Sequence, residues 1–298
     1  MLNRKIRVKQ MTYEDSETEC KIIMPLFDFR NKDEVEYAFL DGRYILQRFE
    51  PKDELTKEKG FSEKDRTDIS FARWAIFVDN AEKYNYQDEV NILLLALRLA
   101  KKCRAFIKFR LSPNCRKRIS RISNTIQFTI MDDTTRIIES SDLDKADEIF
   151  KKLIDMRMVS SRTHNAVLFL YKAYHSSGWM DAFIYYMMCL ESLFSKERKG
   201  DSEKTICLRV SVFLNDKYGT KYDDIQPLYE LRSKLVHGSF ALNEETPPGV
   251  HLARLKKLED LMINVFQLFL DQDIHKLYGD LNKKEEYFNE LSRTKAHL

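Results

Sequence analysis

The chain has 298 residues, of which 43% are hydrophobic and 33% are charged, so it can bury a core in one large or two ordinary domains. No apolar run approaches the ~20 residues needed to cross a membrane, so we expect no membrane contact. The five cysteines are scattered and odd in number, which predicts neither a disulfide framework nor a zinc site. With no apolar segment behind the first residues, we expect no secretory signal and a cytoplasmic location.

The first 140 residues predict an α+β domain of a type that the sequence does not identify. Asp41-Gly42 lies between two apolar runs and indicates a hairpin. We expect a charged surface connection at 52–68 and a helix at 87–103. The segment 71–84 fits a helix or a strand, and a helix is favoured for part of it. Apolar runs and alternation predict strands at 21–29, 37–46, 105–111 and 123–131.

A basic strip lies between Asn91 and Met131, a stretch that contains no Asp or Glu. The whole chain has 50 Lys and Arg against 47 Asp and Glu, so its small net charge of +3 conceals a segregated distribution. Two interpretations stay open, a solvated face and a surface that binds the backbone of a nucleic acid. The candidate contact residues are Arg98, Lys101, Lys102, Arg104, Lys108, Arg110, Arg116, Lys117, Arg118 and Arg121.

From residue 141 to residue 298 the sequence predicts a second domain, a bundle of helices with short connections and antiparallel neighbours. Ser140-Ser141-Asp142 supplies capping residues for its first helix. The polar segment 279–298 is expected to form a peripheral helix or a loose tail. Together with this first helix, at 140–156, the bundle is predicted to contain helices at 163–175, 179–194, 204–215, 225–237 and 252–272, from their apolar spacing.

Three of these helices are apolar on almost every face, yet each carries one charge there, namely Glu191, Arg209 or Arg232. An unpaired buried ion is costly, and arginine cannot escape by losing its proton. We therefore expect the three side chains to find each other or a cleft. One carboxylate does not neutralise two guanidiniums, so the surplus charge and the nearby His237 favour an anion site. A purely structural ion pair is the alternative.

Here the residues carry a resemblance to HEPN domains, and the form most similar is the ApeA-like HEPN family. It rests on the segment Arg232-Ser-Lys-Leu-Val-His-Gly238, preceded by a Leu-Glu-Ser-Leu helix and a Leu-Arg-Val helix. The similarity covers about residues 160 to 275. It implies an antiparallel helical bundle that forms a homodimer, in which two copies of the Ile225 to Gly238 helix meet and build one cleft.

The resemblance implies a metal-independent endoribonuclease without a cofactor, in a family associated with antiviral defence in bacteria and with toxin-like regulation. In such a cleft the ribose 2′-OH attacks the adjacent phosphate, and a histidine such as His237 transfers protons near neutral pH. Arg232 would bind the phosphate, and Ser233, one turn before His237, can orient the imidazole. Glu191 and Arg209 would support the site.

Two alternatives remain. His237 can be a helix-capping residue that the C-terminal dipole stabilises, with no part in chemistry. The domain can also be a non-catalytic HEPN module that dimerises and binds RNA or a nucleotide. The complete set of Arg232, Ser233 and His237 favours the enzyme.

Overall fold

The computed structural model describes residues 22–51, 61–79, 81, 85–112, 119–121, 137–196, 203–239 and 248–294. The chain forms two compact units that divide inside one helix, between Phe150 and Lys151. The first unit contains the strands and the second is helical, so the chain is mainly helical with a small N-terminal sheet region, as predicted. The sequence prediction placed the boundary before that helix, at residue 141.

The described part of the first unit contains two sheets and two complete helices. The helices are α1, Glu63–Phe71, and α2, Tyr86–Ala100. The strands are β1 Ile22–Phe27, β2 Arg30–Asn31, β3 Tyr37–Phe39, β4 Tyr44–Arg48, β5 Trp74–Val78, β6 Phe106–Ile107, β7 Phe109–Leu111, β8 Ile119–Arg121 and β9 Ile137–Ile138. The larger sheet has the order β3-β4-β5-β1-β7-β8, with β6 also paired to β1, and β2 and β9 form a separate parallel pair.

The hairpin expected at Asp41-Gly42 is present. Strands β3 and β4 pair antiparallel, with Tyr37 opposite Leu46. Asp41 and Gly42 have φ values of 56° and 92°, a left-handed conformation that glycine adopts without the steric cost of a Cβ. This turn divides the continuous strand expected at 37–46 into two short ones.

Two segments of the first unit differ from the favoured prediction. The segment 71–84, for which a helix was favoured over a strand, contains strand β5, whose Ile76 is opposite Met24 of β1 and Leu46 of β4. The connection expected at 52–68 contains the start of α1, where Ser62 and Asp65 form reciprocal capping hydrogen bonds. The strand expected at 123–131 lies outside the described residues.

In the second unit the helices predicted from apolar spacing are present. They are α3 Ser140–Val159, which begins in the first unit, then α4 Ser161–His175, α5 Trp179–Phe194, α6 Glu203–Tyr218, α7 Tyr222–Val236, α8 Pro248–Asp271 and α9 Leu281–Thr294. A 3-10 turn, Ile274–Gly279, precedes α9. Helix α5 packs against α4, α6, α7 and α8, which explains why it is apolar on nearly every face.

The C-terminal end of α5 is surrounded by hydrogen-bond donors from α4, the 3-10 turn and α9. The donors are Arg162, Tyr278 and Lys284, and their acceptors are the carbonyls of Leu193, Ser195 and Lys196. The last carbonyls of a helix lack partners within it and carry partial negative charge, so nearby cations stabilise them. Because α9 supplies the fully buried Lys284, it is an integral part of this unit.

The 3-10 turn contains a buried histidine, His275, with a side chain only 1% exposed. Its Nδ1 has no hydrogen-bond partner within the described part of the chain. Burial lowers the pKa of His275 below the usual 6.5; the charges of Asp273 and Asp155 oppose that shift, and those of Lys276 and Lys152 reinforce it. The folded protein therefore favours neutral His275.

We expect the free energy of unfolding to fall as the pH drops below about 6.5, by up to about 1.4 kcal/mol per pH unit. Below that pH the unfolded chain binds a proton that the folded chain resists, and the fall ends once the folded His275 is also protonated. Urea unfolding of the wild type and a His275→Leu variant between about pH 7.5 and about pH 5.5 measures the effect. Equal pH dependence in both proteins would contradict this assignment.

Candidate functional site

The candidate catalytic residues lie at the C-terminal end of α7. His237 caps this helix with φ −86° and ψ 3°, and its backbone N–H donates to the Ser233 carbonyl at 3.0 Å. Gly238 follows with φ 69°, the left-handed conformation that commonly ends a helix and that glycine favours. The His237 side chain is exposed as a result.

Arg232 is held by Glu191 of α5. One terminal nitrogen, Nη2, lies 3.0 Å from Glu191 Oε1 and 3.2 Å from Oε2. Both side chains are 27% exposed, so this is a half-buried ion pair at the edge of the bundle. The predicted pairing of Glu191 with one arginine is confirmed.

Tyr229, one turn before Ser233, completes the cluster. Its hydroxyl donates to Glu191 Oε1 at 3.0 Å. Burial and the Glu191 charge raise the pKa of Tyr229 far above its usual range, so this hydroxyl stays protonated. Tyr229 was not among the predicted site residues, although its three-residue spacing from Arg232 on α7 places both side chains at neighbouring positions of one face.

Arg209 has a different partner. Its Nη2 lies 2.5 Å from Glu285 Oε2 and its Nη1 lies 3.3 Å from Oε1, a bidentate pair with α9. Nη1 also donates to the Phe194 carbonyl at 3.2 Å, and the guanidinium lies 5.1 Å from the centre of the Phe288 ring. Glu285 therefore neutralises the charge that the sequence analysis counted as surplus, and Arg209 supports the fold.

The hydrogen bond expected between the side chains of Ser233 and His237 is absent, within the part of the chain that the structure describes. Ser233 is half-buried and His237 is exposed. No carboxylate among the described residues pairs with the His237 ring, so the imidazole can face a ligand or a second protein chain.

The structure corrects one member of the basic strip. Arg98 is 1% exposed, and its Nη2 donates to the Ala105 carbonyl at 3.1 Å. A side chain enclosed in the core cannot contact a phosphate backbone, so Arg98 does not belong to a nucleic-acid surface. Its position on the entirely buried run of α2 from Ile92 to Leu99 explains its burial.

Other members of the strip have partners from elsewhere in the first unit. Lys101 pairs with Asp142 at 3.1 Å and Arg104 with Asp28 at 3.9 Å. The remaining contacts join Lys108 to Asp68 and Arg110 to Tyr86, while Lys102 is half-buried. Arg116, Lys117 and Arg118 lie outside the described residues, and Arg121 is described only as part of β8.

Among the described residues no group of three or more His, Cys, Asp or Glu is arranged to hold a metal ion. None of the helices within these residues is both long enough and apolar enough to span a membrane. No protein-family model, curated protein or solved structure matches the chain.

Proposed function

We propose that the chain is a metal-independent endoribonuclease of the HEPN type, which cleaves RNA through attack by the ribose 2′-OH. One observation carries the proposal. The exposed imidazole of His237 lies at the end of α7, and Arg232, just over one turn earlier, is held by Glu191 with donors to spare. The reaction needs a base that takes the 2′-OH proton and an acid that protonates the departing 5′ oxygen, roles that histidine can fill, and a cation such as a guanidinium that stabilises the phosphate.

The ion pair leaves Arg232 with capacity for a phosphate. Glu191 uses Nη2, and within the described residues neither Nε nor Nη1 makes a hydrogen bond. Because Nε is buried, Nη1 is the donor group that a phosphate can reach. A guanidinium has five N–H donors, so Arg232 can remain attached to Glu191 while it donates to a phosphate oxygen. Glu191 and Tyr229 then limit the rotamers of Arg232, which reduces the entropy lost when substrate binds.

The second candidate function is a non-catalytic HEPN module that dimerises and binds RNA or a nucleotide. The absence of a Ser233–His237 hydrogen bond within the described chain favours it, because no described residue of one protomer orients the imidazole. In the enzyme, the partner protomer or the substrate would have to orient the ring.

We expect a homodimer whose interface includes the Ile225 to Gly238 segment. Val236 is 49% exposed beside His237, and Leu235 is half-buried; burying such side chains is favourable. Light scattering at micromolar concentration should show a dimer, and Val236→Asp should shift it towards monomer. Val250→Asp is the matched control, since Val250 of α8 is also exposed, at 38%. A monomeric wild type would contradict the prediction.

The test of the proposal is cleavage of RNA by the purified wild type in EDTA. We expect products that end in 2′,3′-cyclic phosphate and no cleavage of the same sequence made as DNA, which lacks the attacking hydroxyl. Cleavage that requires a divalent ion, or that acts equally on DNA, would overturn the mechanism. RNA binding without cleavage would establish the non-catalytic module instead.

A further inference from the structure

An aromatic cluster lies on the paired helices α4 and α5, outside the contacts of the candidate site. The rings of Phe169 and Tyr185 stack with centroids 6.3 Å apart and planes inclined by 20°. Lys172, one turn after Leu168 on α4, places its Nζ 5.6 Å from the centre of the Tyr185 ring. Both rings are half-buried, and Leu168 is 37% exposed, so the cluster forms part of the surface of this chain.

The polar groups of this cluster have no protein partners within the described residues. Lys172 is exposed and pairs with no carboxylate there, and the Tyr185 hydroxyl makes no hydrogen bond. Helix α4 contains no Asp or Glu at all, from Ser161 to His175. The cluster therefore combines partly exposed aromatic rings with a positive charge that has no counterion among the described residues, whereas Lys217 beside Tyr218 is paired with Asp271.

We propose that Phe169, Tyr185 and Lys172 form a stacking platform for single-stranded nucleic acid. Bases stack on aromatic rings whatever their sequence, and a neighbouring cation attracts the phosphates that link them. An acidic peptide would satisfy Lys172 but would not use the flat aromatic surface. A duplex would satisfy the lysine, but its bases are already stacked on each other. A single strand matches both features.

The platform also specifies how RNA would approach the proposed ribonuclease site. This part of the inference depends on the proposed function. Tyr185, Met188 and Glu191 follow one another at three-residue steps on α5, and all three are half-buried. At 1.5 Å and 100° per residue, Tyr185 lies about 9 Å along the helix and about 120° around its axis from Glu191, which holds Arg232. A strand of a few nucleotides spans this distance, so the platform would orient the RNA that enters the cleft.

The experiment measures binding of a fluorescent 2′-O-methyl oligoadenylate at one salt concentration, by anisotropy with the full chain. This strand has no free 2′-OH, so the result is independent of cleavage. Tyr185→Leu should raise the Kd about tenfold, since stacking contributes ~1–3 kcal/mol per base. Tyr185→Phe should retain wild-type affinity, because the ring remains. Tyr218→Leu is the matched control and should change nothing. An oligodeoxyadenylate should show the same pattern, because the platform contacts bases and not the ribose.

Lys172→Gln should also lower the salt dependence of binding, by roughly 0.7 in the slope of log Kd against log salt concentration. An unchanged Kd in Tyr185→Leu would overturn the platform. So would a change of oligomeric state in that variant, seen by light scattering, since it would make the cluster a protein interface. If Tyr185→Leu weakens binding but the wild type cleaves no RNA, the platform stands and the ribonuclease proposal fails.

Discussion

Replacing His237 with alanine is expected to reduce RNA cleavage about 100- to 10,000-fold, the usual contribution of a general acid or base. The fold should survive, because the side chain is exposed at the end of α7 and its backbone, not its ring, makes the capping hydrogen bond. Initial cleavage rates in EDTA and a thermal melt of the same preparation measure both expectations. Cleavage that survives His237→Ala intact would remove His237 from the mechanism.

Lys234→Ala is the matched control, since Lys234 is exposed on the last turn of the same helix. This substitution removes a positive charge from the last turn of the helix but no proton-transferring group, so the cleavage rate should stay within a few fold of the wild-type rate. Arg232→Ala would be harder to interpret. It would remove the proposed phosphate contact and also leave Glu191 without its ion-pair partner, so activity and stability would fall together.

Replacing Glu285 with alanine is expected to destabilise the protein by about 3 kcal/mol, because it leaves a buried cation without a counterion. The Arg209 side chain is 3% exposed and that of Glu285 is 26% exposed, so the loss should be nearer the lower end of what broken buried pairs cost. Glu286→Ala removes the same charge from an exposed position of the same helix and should cost less than about 0.5 kcal/mol. Urea unfolding at neutral pH compares the variants.

The contribution of this ion pair should depend on pH. Burial alone would raise the pKa of Glu285, but the hydrogen bond and charge of Arg209, together with the charges of Lys284 and Lys196, hold the pKa below the usual 4.5. The ion pair therefore stabilises the folded state above about pH 4.5, and this stabilisation is lost as the pH falls through the folded-state pKa of Glu285. The difference in unfolding free energy between wild type and Glu285→Ala should shrink in acid. A difference in unfolding free energy that does not change with pH would contradict a stabilising ion pair. Equal losses of unfolding free energy in Glu285→Ala and Glu286→Ala would contradict it as well.

Much of the second unit could be predicted from the sequence. The apolar spacing of 179–194 and 225–237 determines which helix faces are buried, and the structure has helices at both places. A charge within such a face predicts a partner on a neighbouring helix, and Glu191 and Arg232 do meet. Gly238 marks the end of α7 because few other residues tolerate its left-handed backbone. Each of these inferences depends on local pattern alone.

Tertiary structure decided three other features, since each depends on contacts with residues outside its own helix or strand. Trp74–Val78 is a strand because β1 and β4 supply pairing partners on both sides, which outweighs any local helical tendency. Arg98 is buried because the Ala105 carbonyl satisfies one of its donors inside the core. Arg209 pairs with Glu285, a residue 76 positions later, and not with Glu191. Charge pattern shows that a buried ion needs a counterion, but only the packing of the helices determines which carboxylate lies within reach.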